Sequence, residues 1–146
     1  MFLLLMTLML ASVPMSSQAS APKRIPNVSF CDVLTDSQVY RNKTIRVRAV
    51  FTRGGEDWIA IYCPGCSTDQ NLLKPEYDDA FDRSTSVKIR RLFERPEVTL
   101  EVTLIGILDA KYRLFHIVRA ERAIVLSKQA SSPWRLPEKL KQRNPC

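Results

Sequence analysis

The stretch TIRVRAVFTRGGEDWIAIYC, residues 44–63, decides the fold by its periodicity. Ile45, Val47, Ala49 and Phe51 fall on one side of an extended chain while Arg46, Arg48 and Val50 fall on the other, the period of two that marks a half-buried strand over 44–52. The segment Arg53-Gly54-Gly55-Glu56 then offers residues that tolerate positive φ, and 57–63 alternates again, so a β-hairpin is predicted. In its second arm Trp58, Ala60 and Tyr62 share one face and Ile59, Ile61 and Cys63 the other. Either face can be the core.

Downstream, Val98, Leu100, Val102 and Leu104 alternate with Thr99, Glu101 and Thr103 in the clearest strand of the chain, continuing to Leu108 with Gly106 as a bend. Asp109, Ala110 and Lys111 read as a turn into a strand over 112–118, and 123–126 as a last apolar strand. Between the hairpin and this group, 67–75 reads as a polar loop anchored by Leu72 and Leu73. Tyr77, Ala80 and Phe81, then Ile89, Leu92 and Phe93, recur at helical spacing and predict helices over 76–82 and 84–95. Ser84 or Thr85 is the expected cap of the second helix, and Pro96 its stop. Upstream, Pro26 lies in an extended lead-in, and 31–40 reads as a short helix or turn packed on the end of a sheet. The result is a mainly β chain with one or two helices, an OB-like five-stranded Greek-key barrel; a three-layer αβ domain is the competing arrangement.

The chain has 146 residues, 45% of them apolar and 25% charged, values that exclude a disordered or fibrous chain and a large multidomain enzyme. Residues 2–13 are nearly all apolar, too short to span a bilayer, and lead into the small residues Ala19, Ser20 and Ala21. We therefore expect a signal peptide over 1–21, a folded domain over 22–126 and a basic, flexible tail over 127–146. The protein is expected to be exported, to the periplasm or beyond the cell, with no transmembrane anchor after cleavage. No internal repeat and no glycine-rich phosphate loop is present.

Cys31, Cys63, Cys66 and Cys146 are an even set of thiols, which in an oxidising compartment reads as disulfides with three possible connectivities. Cys31 and either Cys63 or Cys66 flank the first hairpin and make the preferred bridge; Cys146 then pairs with the remaining cysteine, stays free or links to another chain. Cys63-Pro64-Gly65-Cys66 is also a Cys-x-x-Cys pair at a strand end, the spacing of a thiol–disulfide oxidoreductase. No long amphipathic helix follows it, so the structural bridge is the expected role and the oxidoreductase the alternative. No cofactor and no metal is expected, since the chain offers one histidine and no second Cys-x-x-Cys pair.

Through Cys31-x-x-Leu34, Tyr40-x-x-Lys43-x-Ile45-x-Val47-x-Ala49, and then Glu56, Ile61 and Cys63, the chain resembles small exported bacterial proteins with an OB-like barrel and no assigned activity. The resemblance covers residues 30–126 and implies a fold and export; it brings no catalytic residue.

The formal charge of +7, from 22 basic against 15 acidic residues, favours acidic partners. Arg46, Arg48 and Arg53 with Trp58 and Tyr62 are the candidate ligand-binding set, since charge and stacking rings on one side of an OB-like barrel suit an anionic chain. The plainer reading packs both rings in the core. Outside the cytosol an anionic polymer or an envelope protein is the expected partner, and nucleic acid is not. His116 reads as a half-buried packing residue, and Glu56, Asp57, Asp78, Asp79 and Asp82 as solvated surface. We expect a non-enzymatic binding module, with an envelope structural protein as a further alternative.

Overall fold

The computed structural model describes residues 24–55, 58–68, 70–130 and 146. The strands are β1 (Asn27–Val28), β2 (Thr44–Gly54), β3 (Trp58–Tyr62), β4 (Lys74–Tyr77), β5 (Glu97–Asp109) and β6 (Leu114–Ser127). Short helices α1 (Phe30–Thr35) and α2 (Ser37–Tyr40) precede β2, while α3 (Asp79–Ser84) and α4 (Val87–Phe93) connect β4 to β5. The chain is mainly β. The expected signal peptide lies outside the described residues, as do residues 131–145 of the expected tail.

The strands form one mixed six-stranded sheet in the order β1-β2-β5-β6-β4, with β3 on β2. The β2–β3 hairpin is the one the alternation predicts, with Gly54 opposite Trp58 and Val50 opposite Tyr62. Gly55 turns it at φ +68°, a conformation costly to any residue with a Cβ. β2 pairs antiparallel with β5 along its whole length, from Thr44 opposite Ile107 to Gly54 opposite Glu97. β5 pairs antiparallel with β6, and β6 pairs in parallel with β4. Ile61 and Leu73 exchange backbone hydrogen bonds of 2.8 and 3.1 Å, tying β3 to the residue that leads into β4.

Several elements depart from the sequence expectations. β4 occupies positions assigned to a loop and a helix start; it is four residues long and contains Pro75, too short to display a period, and Pro75 is tolerated because a short edge strand needs few ladder donors. β6 is one strand where two were expected. Arg119, Glu121 and Arg122 interrupt its apolar pattern, but register shifts against β5 let the ladder continue past them. The helix caps are Asp78, which accepts from Ala80 N at 2.8 Å, and Ser86 rather than Ser84 or Thr85. Thr85 instead accepts from Ala120 N at 3.0 Å, fastening the α3–α4 link to β6.

Ile45, Val47, Ala49 and Phe51 of β2 face the main core with Leu100, Val102, Leu104, Phe115 and Ile117. The helices contribute Phe81 and Phe93, whose ring centroids lie 5.4 Å apart, and Phe93 meets Phe51 at 4.4 Å. Each such ring adds roughly 1.5–3 kcal/mol of burial. Both faces of β3 are covered. Ile61 and Cys63 join the main core, while Tyr62 and Val50 form a second cluster against Leu72 and Leu126. Thr99 donates to Gln129 O at 2.9 Å, so the chain after β6 stays against β5 at that point. Gly106 sits at a β5 bulge where a Cβ would lie 2.5 Å from both His116 O and the Phe115 ring; the two strands approach that closely because the side chain is absent. No helix among the described residues is long and apolar enough to cross a membrane.

Candidate functional site

The candidate arginines are anchored within the protein. Arg46 reaches Glu121 bidentately, Nε to Oε2 at 2.8 Å and Nη2 to Oε1 at 3.0 Å, and also donates to Asn27 Oδ1 at 3.3 Å. That hydrogen-bonded pairing raises the Arg46 pKa and lowers that of Glu121. Arg48 donates to Glu101 Oε1 at 2.9 Å. Arg53, one residue out of phase with those two along β2, turns elsewhere and donates to Phe93 O at 2.9 Å in the last turn of α4. Tyr62 is fully buried, and burial pushes its phenol pKa up. Trp58 is 36% exposed. The structure therefore does not bring the five residues together on one open surface.

A different group of cations is open to solvent. Between β5 and β6, Asp109 Oδ1 accepts from Lys111 N at 3.0 Å and Tyr112 N at 3.3 Å, which closes the turn. Arg113 completes it at φ +54°, left-handed backbone that ordinarily favours glycine. Its carbonyl accepts from Lys74 N at 2.9 Å, so β4 delivers a further lysine beside the turn. Lys111 Nζ stands 4.8 Å over the Tyr112 ring, which is 61% exposed. Lys74, Lys111 and Arg113 are all exposed, and none has a carboxylate within ion-pair distance among the described residues. In the sequence only Asp109, Ala110 and Lys111 read as a turn, with Tyr112 and Arg113 in the strand that follows, whereas β6 begins at Leu114. The available signal was two cations flanking an aromatic residue in a hairpin loop; the proximity of Lys74 was not legible.

His116 is exposed rather than a packed residue, and its Nδ1 lies 3.3 Å from Glu76 Oε2. Of the acidic residues, Asp78 serves as a helix cap and Asp82 lies 3.6 Å from Arg90; Glu56 and Asp57 fall outside the described residues.

The cysteines form two bonds, Cys31–Cys66 and Cys63–Cys146, with Cα separations of 5.6 and 6.0 Å. The first is one of the two preferred bridges. Cys63-Pro64-Gly65-Cys66 is a tight turn: Cys63 O accepts from Cys66 N at 3.1 Å and Ser67 N at 2.8 Å, while Ser67 Oγ accepts from Cys63 N at 2.8 Å. With both bonds closed no thiolate is present, so the cluster is neither a nucleophile nor a metal site in this state.

Comparison with known protein families and with curated proteins finds no match to this chain.

Proposed function

We propose that this chain is an exported, disulfide-braced OB-like module that binds an anionic polymer at the turn between β5 and β6. The observation that carries the reading is the group Lys74, Lys111, Tyr112 and Arg113: three exposed cations without carboxylate partners among the described residues, Lys111 standing over the exposed Tyr112 ring and Lys74 joined to the turn through its backbone. Arg46 and Arg48, by contrast, already have their carboxylates.

Barrel closure is supported by the pairings. β2 meets β3 and β5, β6 meets β5 and β4, and the Ile61–Leu73 bonds bring β3 to the residue that leads into β4. In OB-folds the loop between the last two barrel strands is one of those that take oligonucleotides and oligosaccharides, and on this reading the turn 109–113 is its counterpart. Export is supported by the two disulfides and by the apolar start of the sequence. A polymer fits better than an envelope protein because, among the described residues, the most exposed apolar side chains, Val39, Val87 and Tyr112, stand in α2, α4 and the β5–β6 turn, whereas a protein interface has a contiguous apolar centre.

Elution from immobilised dextran sulfate in a salt gradient tests the reading. Lys111→Ala and Arg113→Ala should elute earlier than wild type, and Arg48→Ala close to it. Turn variants that elute with wild type would refute it.

A further inference from the structure

The four sulfurs gather in one place, yet neither bond joins the two cysteines that share a turn. Cys63 and Cys66 are each bonded to a remote partner, while the Sγ atoms of Cys31, Cys63 and Cys66 all lie within 4.8 Å of one another. The two ends of the Cys63–Cys146 bond also differ in access. Cys63 is fully buried in the main core, whereas Cys146 is partly exposed and lines an open pocket with Asn27, Ser29, Arg46, Arg48 and Thr103. Of the two ends of this bond, a thiolate arriving from solvent reaches Cys146 and not Cys63, on a side of the molecule that carries Arg46 and Arg48.

We propose that this cluster is a thiol–disulfide relay, in which reduction at Cys146 moves the remaining bond from Cys31–Cys66 to Cys63–Cys66. One thiolate of a small dithiol attacks Cys146 Sγ; the bond to Cys63 breaks and its electron pair leaves on Cys63 Sγ. A thiolate in the core is poorly solvated, and the neighbouring disulfide gives it an outlet. Cys63 attacks Cys66 Sγ, the Cys63–Cys66 bond forms, and Cys31 departs as a thiolate that is half-exposed and takes a proton from solvent. Cys66 is the sulfur attacked because the turn already holds it beside Cys63, with Cys66 N on Cys63 O at 3.1 Å. The second thiol of the reductant then closes onto its own mixed disulfide and releases Cys146 as a thiol. In sum, one dithiol becomes a cyclic disulfide, its two hydrogens end on Cys31 and Cys146, and the chain keeps one bond. The relay unfastens α1, which carries Cys31, from the loop that carries Cys66. It goes beyond polymer binding and stands independently of it.

Treating the oxidised full chain with one equivalent of dithiothreitol, quenching in acid, alkylating and mapping the peptides tests the proposal. The main partly reduced species should carry Cys63–Cys66 with Cys31 and Cys146 alkylated. A species retaining Cys31–Cys66 with Cys63 and Cys146 alkylated would overturn it, as would loss of both bonds together. Cys146→Ser gives a second reading without added reductant: after oxidation, alkylation should fall on Cys31, and alkylation of Cys63 would contradict the relay.

Discussion

Arg113 holds left-handed backbone at φ +54° where glycine would rest without strain, and Arg113→Gly separates the cost of that conformation from the use of the side chain. A residue with a Cβ gives up roughly 1–2 kcal/mol in this region. Glycine removes that cost but adds about 0.5–1 kcal/mol of unfolded-chain entropy. The net stabilisation expected is therefore between about 0 and 1.5 kcal/mol, a rise of up to about 6 °C in Tm for a domain of this size. Removing one cation from the patch should also lower the slope of log Kd against log salt by about one unit for a phosphate-bearing polymer. Arg113→Ala is the companion variant: it loses the same charge, keeps the backbone cost and should not gain in Tm. Urea denaturation and salt-gradient retention measure the two quantities separately. Loss of stability in Arg113→Gly would refute the reading of the turn. Unchanged binding in both variants would refute the role of the guanidinium.

The remaining expectations follow from packing, crosslinks and charge. Gly106→Ala places a Cβ 2.5 Å from His116 O and the buried Phe115 ring, neither of which can yield cheaply, and should cost about 3 kcal/mol or more by urea denaturation; a neutral result would contradict the close approach of β5 and β6. Opening Cys31–Cys66 with Cys31→Ser plus Cys66→Ser releases a ring spanning 35 positions and should cost about 4 kcal/mol on the chain-entropy treatment, read from the same transition. Glu121 is held below its ordinary pKa by the hydrogen bonds from Arg46, so its stabilising contribution is present above the ordinary glutamate range and is lost as pH falls through the lowered value. The urea midpoint of wild type should accordingly exceed that of Glu121→Gln at pH 7 and converge with it in acid; a constant gap would count against the pair.

The hairpin and the long β5 strand were legible because alternation over many positions survives local exceptions. Ile45 to Phe51 and Val98 to Leu104 bury as their period requires. β4 was not legible, since four residues containing a proline carry no period and its pairing with Leu114 to Ile117 is remote in sequence. Alternation could not choose a face for Tyr62 because the sheet is covered on both sides there. The dispersal of the candidate site residues has a related reason. Arg46 and Arg48 look free in sequence, but their partners lie 75 and 53 positions away, a distance that only the strand register shortens. The cations of the β5–β6 turn were visible as residues, whereas their convergence with Lys74 depends on the parallel β4–β6 pair.

The central claim, that this is an exported module braced by closed disulfides, is tested most directly by the intact mass of the protein taken from its native source under acid quench. We expect the mass of residues 22–146 less two hydrogens for each bridge. The mass of the full 146-residue chain with every thiol reduced would contradict it.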